Sequence, residues 1–368
     1  MTRIVITGGG SGGHIFPLIA VVEKLREKDP QVEILYLGSK GEMETKVMKE
    51  NSIPTKYVMS GKFRRYFSFN NFVDCLKFPV GIIQALWHLL VYMPDVVFSK
   101  GGHVSVPVAL AAWVYAIPIL THESDAMPGL ANRIIGIVSE RIAVSYPTAK
   151  RYFAEKKILL TGNPIRADIT KGDKATFLKE LGLTESKPII LILGGSQGAQ
   201  NINLAIANII GELTKVAQVV HQTGVSNYEQ VIKLIRAKGV KEGRDGYYPV
   251  AFIDSNNMKN ALAAADIIIS RSGANSISEI AAYGKPSILI PLASAASNHQ
   301  GMNAYLIAEK KGAIVLEESN IGRNMLIGRI EKILSDQIYR ESLSKNIREF
   351  YHADAADKIA QGIIDLAQ

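Results

Sequence analysis

The sequence predicts an α/β protein built from two Rossmann-like domains in tandem, and three observations predict it. The chain has 368 residues, more than one typical domain holds. Short apolar runs rich in β-branched residues alternate with helical patterns throughout, as in βαβ units on parallel sheets. Two segments about 185 residues apart also open alike. IVITGGGSGGH (4–14) and IILILGGSQGAQN (189–201) each run a strand into a glycine-rich turn and then a helix.

Taken in order, the strands of the first half are expected at Arg3 to Thr7, Glu33 to Leu37, Val96 to Ser99, Pro118 to Thr121 and Arg141 to Val144. Those of the second are expected at Pro188 to Leu193, Ala217 to His221, Tyr248 to Phe252, Ile267 to Ser270 and Ser287 to Ile290. The apolar run of 17 residues at 104–120 sits at the short edge of what a membrane span requires, with Pro107 and Pro118 near its ends. It reads better as a buried helix, Val108 to Tyr115, feeding a buried strand. LLTGNPIRADI (159–169) is turn-rich and reads as the interdomain connection. This gives domains at 1–161 and 162–349, with the last stretch, 350–368, expected to return to the first domain.

Composition is that of an ordinary globular protein, 47% apolar and 21% charged. The single cysteine, Cys75, excludes an intrachain disulfide and fits a reducing compartment. The opening MTRIVITGGG reads as a strand entering a glycine loop, not as a signal peptide. Net charge is +8, with 19 Lys/Arg against 13 Asp/Glu up to residue 160 and 23 against 21 beyond it. The basic surplus of the first half points to an anionic partner there.

A glycine-rich turn at a helix N-terminus brings backbone N–H groups and the positive helix end up to a phosphate. Gly8, Gly10 and Gly13 formally satisfy G-x-G-x-x-G, which makes a nicotinamide or flavin enzyme the first rival. That motif needs an acid at the end of the second strand, and Leu35-Tyr36-Leu37-Gly38-Ser39 offers none. His14 follows the loop directly, where a helix start favours the neutral, proton-accepting imidazole. In SRSGANSISEIAAYGKP (270–286), Ser272-Gly273-Ala274-Asn275-Ser276 turns into a helix carrying Glu279, a carboxylate placed to accept both hydroxyls of a ribose. Arg166, past the connection, can reach a diphosphate. No D-x-D pair and no His/Cys cluster with ligand spacing occurs, so no metal or other cofactor is expected.

The segments GGGSGGH (8–14), HESDAMPGLAN (122–132), GNPIR (162–166), GGSQGAQNIN (194–203), SGANSISEIAAYGKP (272–286) and NHQGMNA (298–304) resemble, in order and spacing, the MurG family of N-acetylglucosaminyltransferases. The resemblance spans essentially the whole chain. It implies a GT-B fold with the active site in the interdomain cleft. It also implies an inverting, metal-independent transfer of GlcNAc from UDP-GlcNAc to the 4-hydroxyl of undecaprenyl-pyrophosphoryl-MurNAc-pentapeptide (lipid I), giving lipid II. On that resemblance Ile253 offers backbone contacts to uracil and Glu279 takes the ribose. Ser196 and Arg166 hold the diphosphate, Gln300 and Asp125 hold the sugar, and Ala274, Asn275 and Ser276 join them at the donor site. Ser11, Gly12 and Gly13 face the sugar and the acceptor diphosphate. The catalytic base is open between His14 and Glu123, with His14 preferred, and Asn203 is a weaker contact.

There are departures. Ser124-Asp125 stands where many relatives carry Gln-Asn, which brings a negative charge near an anionic donor. His103 stands where some have Tyr, and the loop at FIDSNNM (252–258) is slightly longer than the family pattern, which weakens the placing of Met258.

A lipid-linked acceptor calls for a membrane face. Residues 61–93 interleave Lys62, Arg64, Arg65 and Lys77 with Phe63, Tyr66, Phe67, Phe69, Phe72 and Phe78, a composition suited to an anionic bilayer surface without a span. The expected location is therefore peripheral, on the cytoplasmic face of the cell membrane. The stretch from Ile82 to Met93, apolar on nearly every face, is expected to lie buried against the sheet. No nucleic-acid motif accompanies the aromatic and basic residues, and no nucleic-acid partner is expected. Two enzyme rivals keep the same architecture, a glycosyltransferase with another acceptor and a UDP-GlcNAc 2-epimerase; an idle nucleotide-sugar-binding protein is the non-enzymatic one.

Overall fold

The computed structural model describes residues 1–10, 12–61, 69–195, 198–295 and 298–368. The chain forms two compact units, Met1–Arg166 with His352–Gln368, and Ala167–Tyr351. Ser11, Ser196 and the segment from Lys62 to Phe67 lie outside the described residues, as do the side chains of Phe69 and Phe72.

The first unit carries β1 (Arg3–Thr7), α1 (Gly12–Lys28), β2 (Glu33–Gly38), α2 (Glu42–Glu50), β3 (Thr55–Tyr57), α3 (Phe69–Tyr92), β4 (Val96–Ser99), α4 (Ser105–Val114), β5 (Ile119–Glu123), α5 (Leu130–Val138), β6 (Arg141–Val144) and β7 (Ile158–Leu160). Its sheet has the order β3-β2-β1-β4-β5-β6-β7, with every pairing parallel. Side-chain alternation sorts the core onto two faces. Ile4, Ile6, Val96 and Phe98 pack with α1, whereas Val5, Leu35 and Val97 pack with α3 and α4. The C-terminal helix, Ala355–Ala367, closes the first of these faces through Ile359, Ala360 and Ile363.

The second unit carries α6 (Lys174–Leu181), β8 (Ile189–Leu193), α7 (Gln200–Val216), β9 (Gln218–Gln222), α8 (Tyr228–Ala237), β10 (Tyr247–Val250), α9 (Ser255–Ala264), β11 (Ile267–Ser270), α10 (Ala274–Tyr283), β12 (Ser287–Leu289), α11 (His299–Glu309), β13 (Ile314–Val315), α12 (Arg323–Ser335) and α13 (Gln337–Arg348). Its sheet, β10-β9-β8-β11-β12-β13, is again all parallel. The chain then returns to the first unit as α14 (Ala355–Ala367). The segment read as a connection begins inside β7, and Gly162 lies wedged beside the His352 ring with a left-handed φ of 83° that only glycine adopts cheaply.

Two burial expectations fail. Only one side of the C-terminal half of α3 is covered, with Ala85 and Leu89 buried, while Ile83, Trp87, Leu90 and Val91 are exposed, as is Met93 just past its end. Gln84, one of its few polar residues, is half-buried and accepts the Met59 N–H at 2.8 Å. Likewise α4 ends in the open: Trp113, Val114 and the following Tyr115 are exposed. A helix apolar all round cannot tell its reader which side the sheet will cover, so the outer side was not legible. Among the described residues, no helix is long and apolar enough to cross a membrane.

Candidate active site

In the first unit the site-bearing loops follow β1, β4 and β5, neighbours in the sheet, with strand order reversing between β1 and β4. Such a switch point opens a crevice at the carboxyl edge of a parallel sheet. Two glycine turns meet there. Gly10 has φ 92° and Gly102 φ 88°, and a Cβ on Gly102 would stand 2.7 Å from the Gly9 carbonyl oxygen. His103 packs on the same turn, its ring 3.2 Å from where a Gly10 Cβ would be. His14, the third residue of α1, is half-buried at the edge of this loop, beside Gly12, while Gly13 is exposed.

A residue that sequence reasoning missed governs this turn. Glu44, in the first turn of α2, is buried, and its Oε1 accepts the Gly10 N–H at 2.7 Å and lies 3.0 Å from Ser39 Oγ. Its Oε2 lies 3.1 Å from the Tyr36 hydroxyl, which also reaches the Gly8 carbonyl. Burial, and then the adjacent Glu44 charge, push the Tyr36 phenol well above its ordinary pKa. The acid absent from the end of the second strand thus arrives from the next helix and binds the glycine turn itself. An acid in a helix first turn usually reads as a favourable partner of the helix dipole, so nothing in the sequence marked it out.

Glu123 ends β5 and Asp125 follows it. Glu123 is buried, and both carboxylate oxygens are engaged: Oε1 takes the Asp125 N–H at 2.9 Å, and Oε2 takes the Gly129 N–H at 3.2 Å and Asn132 Nδ2 at 2.9 Å. Burial foremost, then the Asp125 charge, raise its pKa to about 7 against the pull of Lys100. Glu123 is thereby the anchor of the 124–129 turn, and of the two base candidates His14 has the greater access. His122 is buried and held neutral, its Nε2 3.1 Å from the Gly162 carbonyl oxygen. Arg166, half-buried, is the last residue of this unit before the crossing.

In the second unit the loops follow β8 and β11, again adjacent strands. The turn after β8 has left-handed Gly195 and Gly198, and a Cβ on Gly198 would lie 2.4 Å from the Thr223 carbonyl oxygen. Gln222, buried at the end of β9, donates from Nε2 to the Gly195 carbonyl at 3.1 Å and accepts the Ile253 N–H on Oε1 at 3.1 Å. One side chain therefore ties the glycine turn to the segment expected to meet uracil. Asn203, offered as a weaker ligand contact, is instead buried and engaged at both ends, with Nδ2 on the Thr223 carbonyl at 2.9 Å and Oδ1 3.0 Å from His221 Nε2.

The loop after β11 leads into α10, where Ala274 is buried and Asn275, Ser276 and Glu279 are half-buried. Ser272 Oγ donates to the Gln300 carbonyl at 2.8 Å, and Asn303 Nδ2 donates to the Ser272 carbonyl at 3.2 Å. Gln300 Oε1 accepts the Leu292 N–H at 3.0 Å, which turns its amide nitrogen toward donor duty. Just before this loop, buried Arg271 pairs with Glu318 and donates to the Ile290 and Pro291 carbonyls, fixing the start of α10 against the end of β12. Among the described residues no three His, Cys, Asp or Glu side chains gather as a metal site would need.

Known proteins match this arrangement along its length. Residues 4–144 fit the glycosyltransferase family 28 N-terminal domain and residues 189–359 the glycosyltransferase family 28 C-terminal domain. The Lachnospira eligens UDP-N-acetylglucosamine–N-acetylmuramyl-(pentapeptide) pyrophosphoryl-undecaprenol N-acetylglucosamine transferase is 38% identical over 366 residues, 99% of each chain. Acinetobacter baumannii MurG superposes with a TM-score of 0.76 at 23% identity, covering 99% of this chain and all of that one. The Neisseria meningitidis UDP-GlcNAc 2-epimerase bound to UDP-GlcNAc reaches a TM-score of 0.70 at 14% identity, covering 99% of this chain and 100% of that one, a likeness of fold alone. Full-length identity at this level, on top of both family domains, places the chain in glycosyltransferase family 28, within the MurG group of N-acetylglucosaminyltransferases.

Proposed function

We propose that the protein transfers GlcNAc from UDP-GlcNAc to the 4-hydroxyl of the MurNAc of lipid I, with inversion and without a metal ion. The observation that carries the reading is the full-length identity to transferases named for this reaction. The geometry of each unit is consistent with it. The N-termini of α7 and α10, on adjacent loops of the second unit, suit a diphosphate; Ser196 and Arg166 complete its partners. Glu279 takes the ribose hydroxyls and Ile253 the uracil. The Ile253 N–H is already given to Gln222, so its carbonyl is the readier contact. Gln300, through its amide nitrogen, and Asp125 hold the sugar, while Ala274, Asn275 and Ser276 line the donor. Ser11, Gly12 and Gly13 face the acceptor.

In the reaction the imidazole of His14 takes the proton from the 4-hydroxyl as its oxygen attacks the anomeric carbon opposite UDP. The bond to the diphosphate breaks, and the developing charge is met by helix ends and Arg166. Peripheral docking on an anionic membrane, on its cytoplasmic face, is supported by the exposed apolar side of α3 and the end of α4, with Lys77 exposed beside them.

The test is transfer of labelled GlcNAc from UDP-GlcNAc to a lipid I analogue with EDTA present. Label in a disaccharide lipid supports the acceptor and the metal independence together. Interconversion of UDP-sugars without acceptor, and no transfer, would replace the reading with an epimerase.

A further inference from the structure

Lys100 is the first residue after β4, and no motif marks it out. Its N–H continues the sheet pattern to the Thr7 carbonyl at 2.8 Å, and its Cβ lies 3.2 Å from where a Gly8 Cβ would stand. A bare glycine at position 8 therefore makes room for it. Its side chain is buried, 1% exposed, and Nζ donates to Ser124 Oγ at 3.0 Å. Burial lowers its pKa, and the charges of Glu123 and Asp125 act in the opposite sense, favouring the ammonium.

One buried cation and two carboxyl groups thus meet around Ser124, at the carboxyl ends of two adjacent strands. Without the lysine, Glu123 and Asp125 would be two carboxylates sharing one turn, one of them buried, an arrangement that is costly unless compensated. Asp125 is also the departure from the family's Gln-Asn that would set a negative charge against an anionic donor. We propose that Lys100, bonded to Ser124 between the two carboxyl groups, is the shared counter-ion of Glu123 and Asp125, a positioning residue that lets an aspartate hold the donor sugar in this chain and fixes the Ser124-Asp125 turn for it. The proposal deepens the donor reading above and rests on it for Asp125's contact with the sugar.

The test compares Lys100→Met with Lys100→Met/Asp125→Asn, by thermal melting and by initial transfer rates at varied UDP-GlcNAc. The single variant is expected to melt lower and to raise the KM for UDP-GlcNAc about tenfold, with a smaller change in kcat. Adding Asp125→Asn is expected to restore a good part of both losses, because one of the two carboxylates that share the cation is gone. A lysine that only filled space would gain nothing from that second change. Where Lys100→Met does not fold, recovery of folded protein in the double variant supports the pairing. A double variant as impaired as the single one, or as unfolded, overturns it. Wild-type protein without transfer activity would overturn the functional reading instead, while the melting comparison still decides the charge pairing.

Discussion

The two glycine turns share a sequence pattern and differ in what the protein places on them. In the first unit a buried carboxylate, Glu44, accepts the Gly10 N–H, so an anion of the protein itself already stands at the turn. In the second, a neutral amide, Gln222, donates to the Gly195 carbonyl. The first arrangement adds negative charge at the turn that leads to His14 and uses up an N–H that a phosphate would want. The second adds none, and leaves the electrostatics of the turn to the positive end of α7. A glycine-rich turn is therefore a backbone shape whose ligand preference is set by the side chains packed against it. On this view the second unit suits the nucleotide diphosphate, and the first suits proton transfer from a sugar hydroxyl.

The comparison can be broken most sharply at His14. If the first turn serves proton transfer, His14→Ala lowers kcat by about a hundredfold to ten-thousandfold, the range that general-base removal typically spans. The KM for UDP-GlcNAc should hardly move. A kcat within about threefold of wild type removes His14 from that role. Next comes the reciprocal pair. Gln222→Leu leaves the Gly195 carbonyl and the Ile253 N–H without their shared partner, and should raise the KM for UDP-GlcNAc about tenfold. Glu44→Ala should lower kcat by a similar factor of about ten and change that KM by less than about twofold. Steady-state kinetics on both variants decides the matter, and an exchange of the two effects would reverse the assignment of the turns.

How much of this was legible depended on whether one residue or a pairing carried the information. The strands Arg3–Thr7, Val96–Ser99, Arg141–Val144 and Ile267–Ser270 stand where their apolar patterning put them. Each is a short, mostly apolar run with at least two β-branched residues, so local pattern suffices. Strands β3, β7 and β13 are edge or near-edge strands of two or three residues, too short to show a period, and they escaped notice. The glycine turns and α10 were readable because they are contiguous in sequence. Glu44, Gln222 and Lys100 were not, because each acts on a loop from another strand or helix and carries no motif of its own. Asn203 misled for the same reason: it stands in a ligand-like segment, yet the fold turns it inward to His221.

That inward pair gives the smallest effect and a check on the scaffold beneath the second turn. His221 is fully buried between Asn203 Oδ1 and the Tyr247 hydroxyl, each 3.0 Å away, and burial pushes its pKa down from 6.5 to about 3. A histidine held neutral in the fold and free to protonate when unfolded supports stability fully above its unfolded pKa. That support is lost as pH falls from about 6.5 toward 3, at about 1.4 kcal/mol per pH unit. Between pH 7 and pH 5 the loss from this group alone is about 2 kcal/mol. His221→Gln, which keeps an amide able to meet Asn203, should be less stable at pH 7, because the fit to Tyr247 is imperfect. It should nevertheless lose less stability than wild type on going to pH 5. Denaturant melts of both proteins at the two pH values measure the difference of differences, from which the other titrating groups cancel. Equal losses in the two proteins would mean that His221 is protonated in the folded state, and that the Asn203–His221–Tyr247 chain does not hold the turn through a neutral ring.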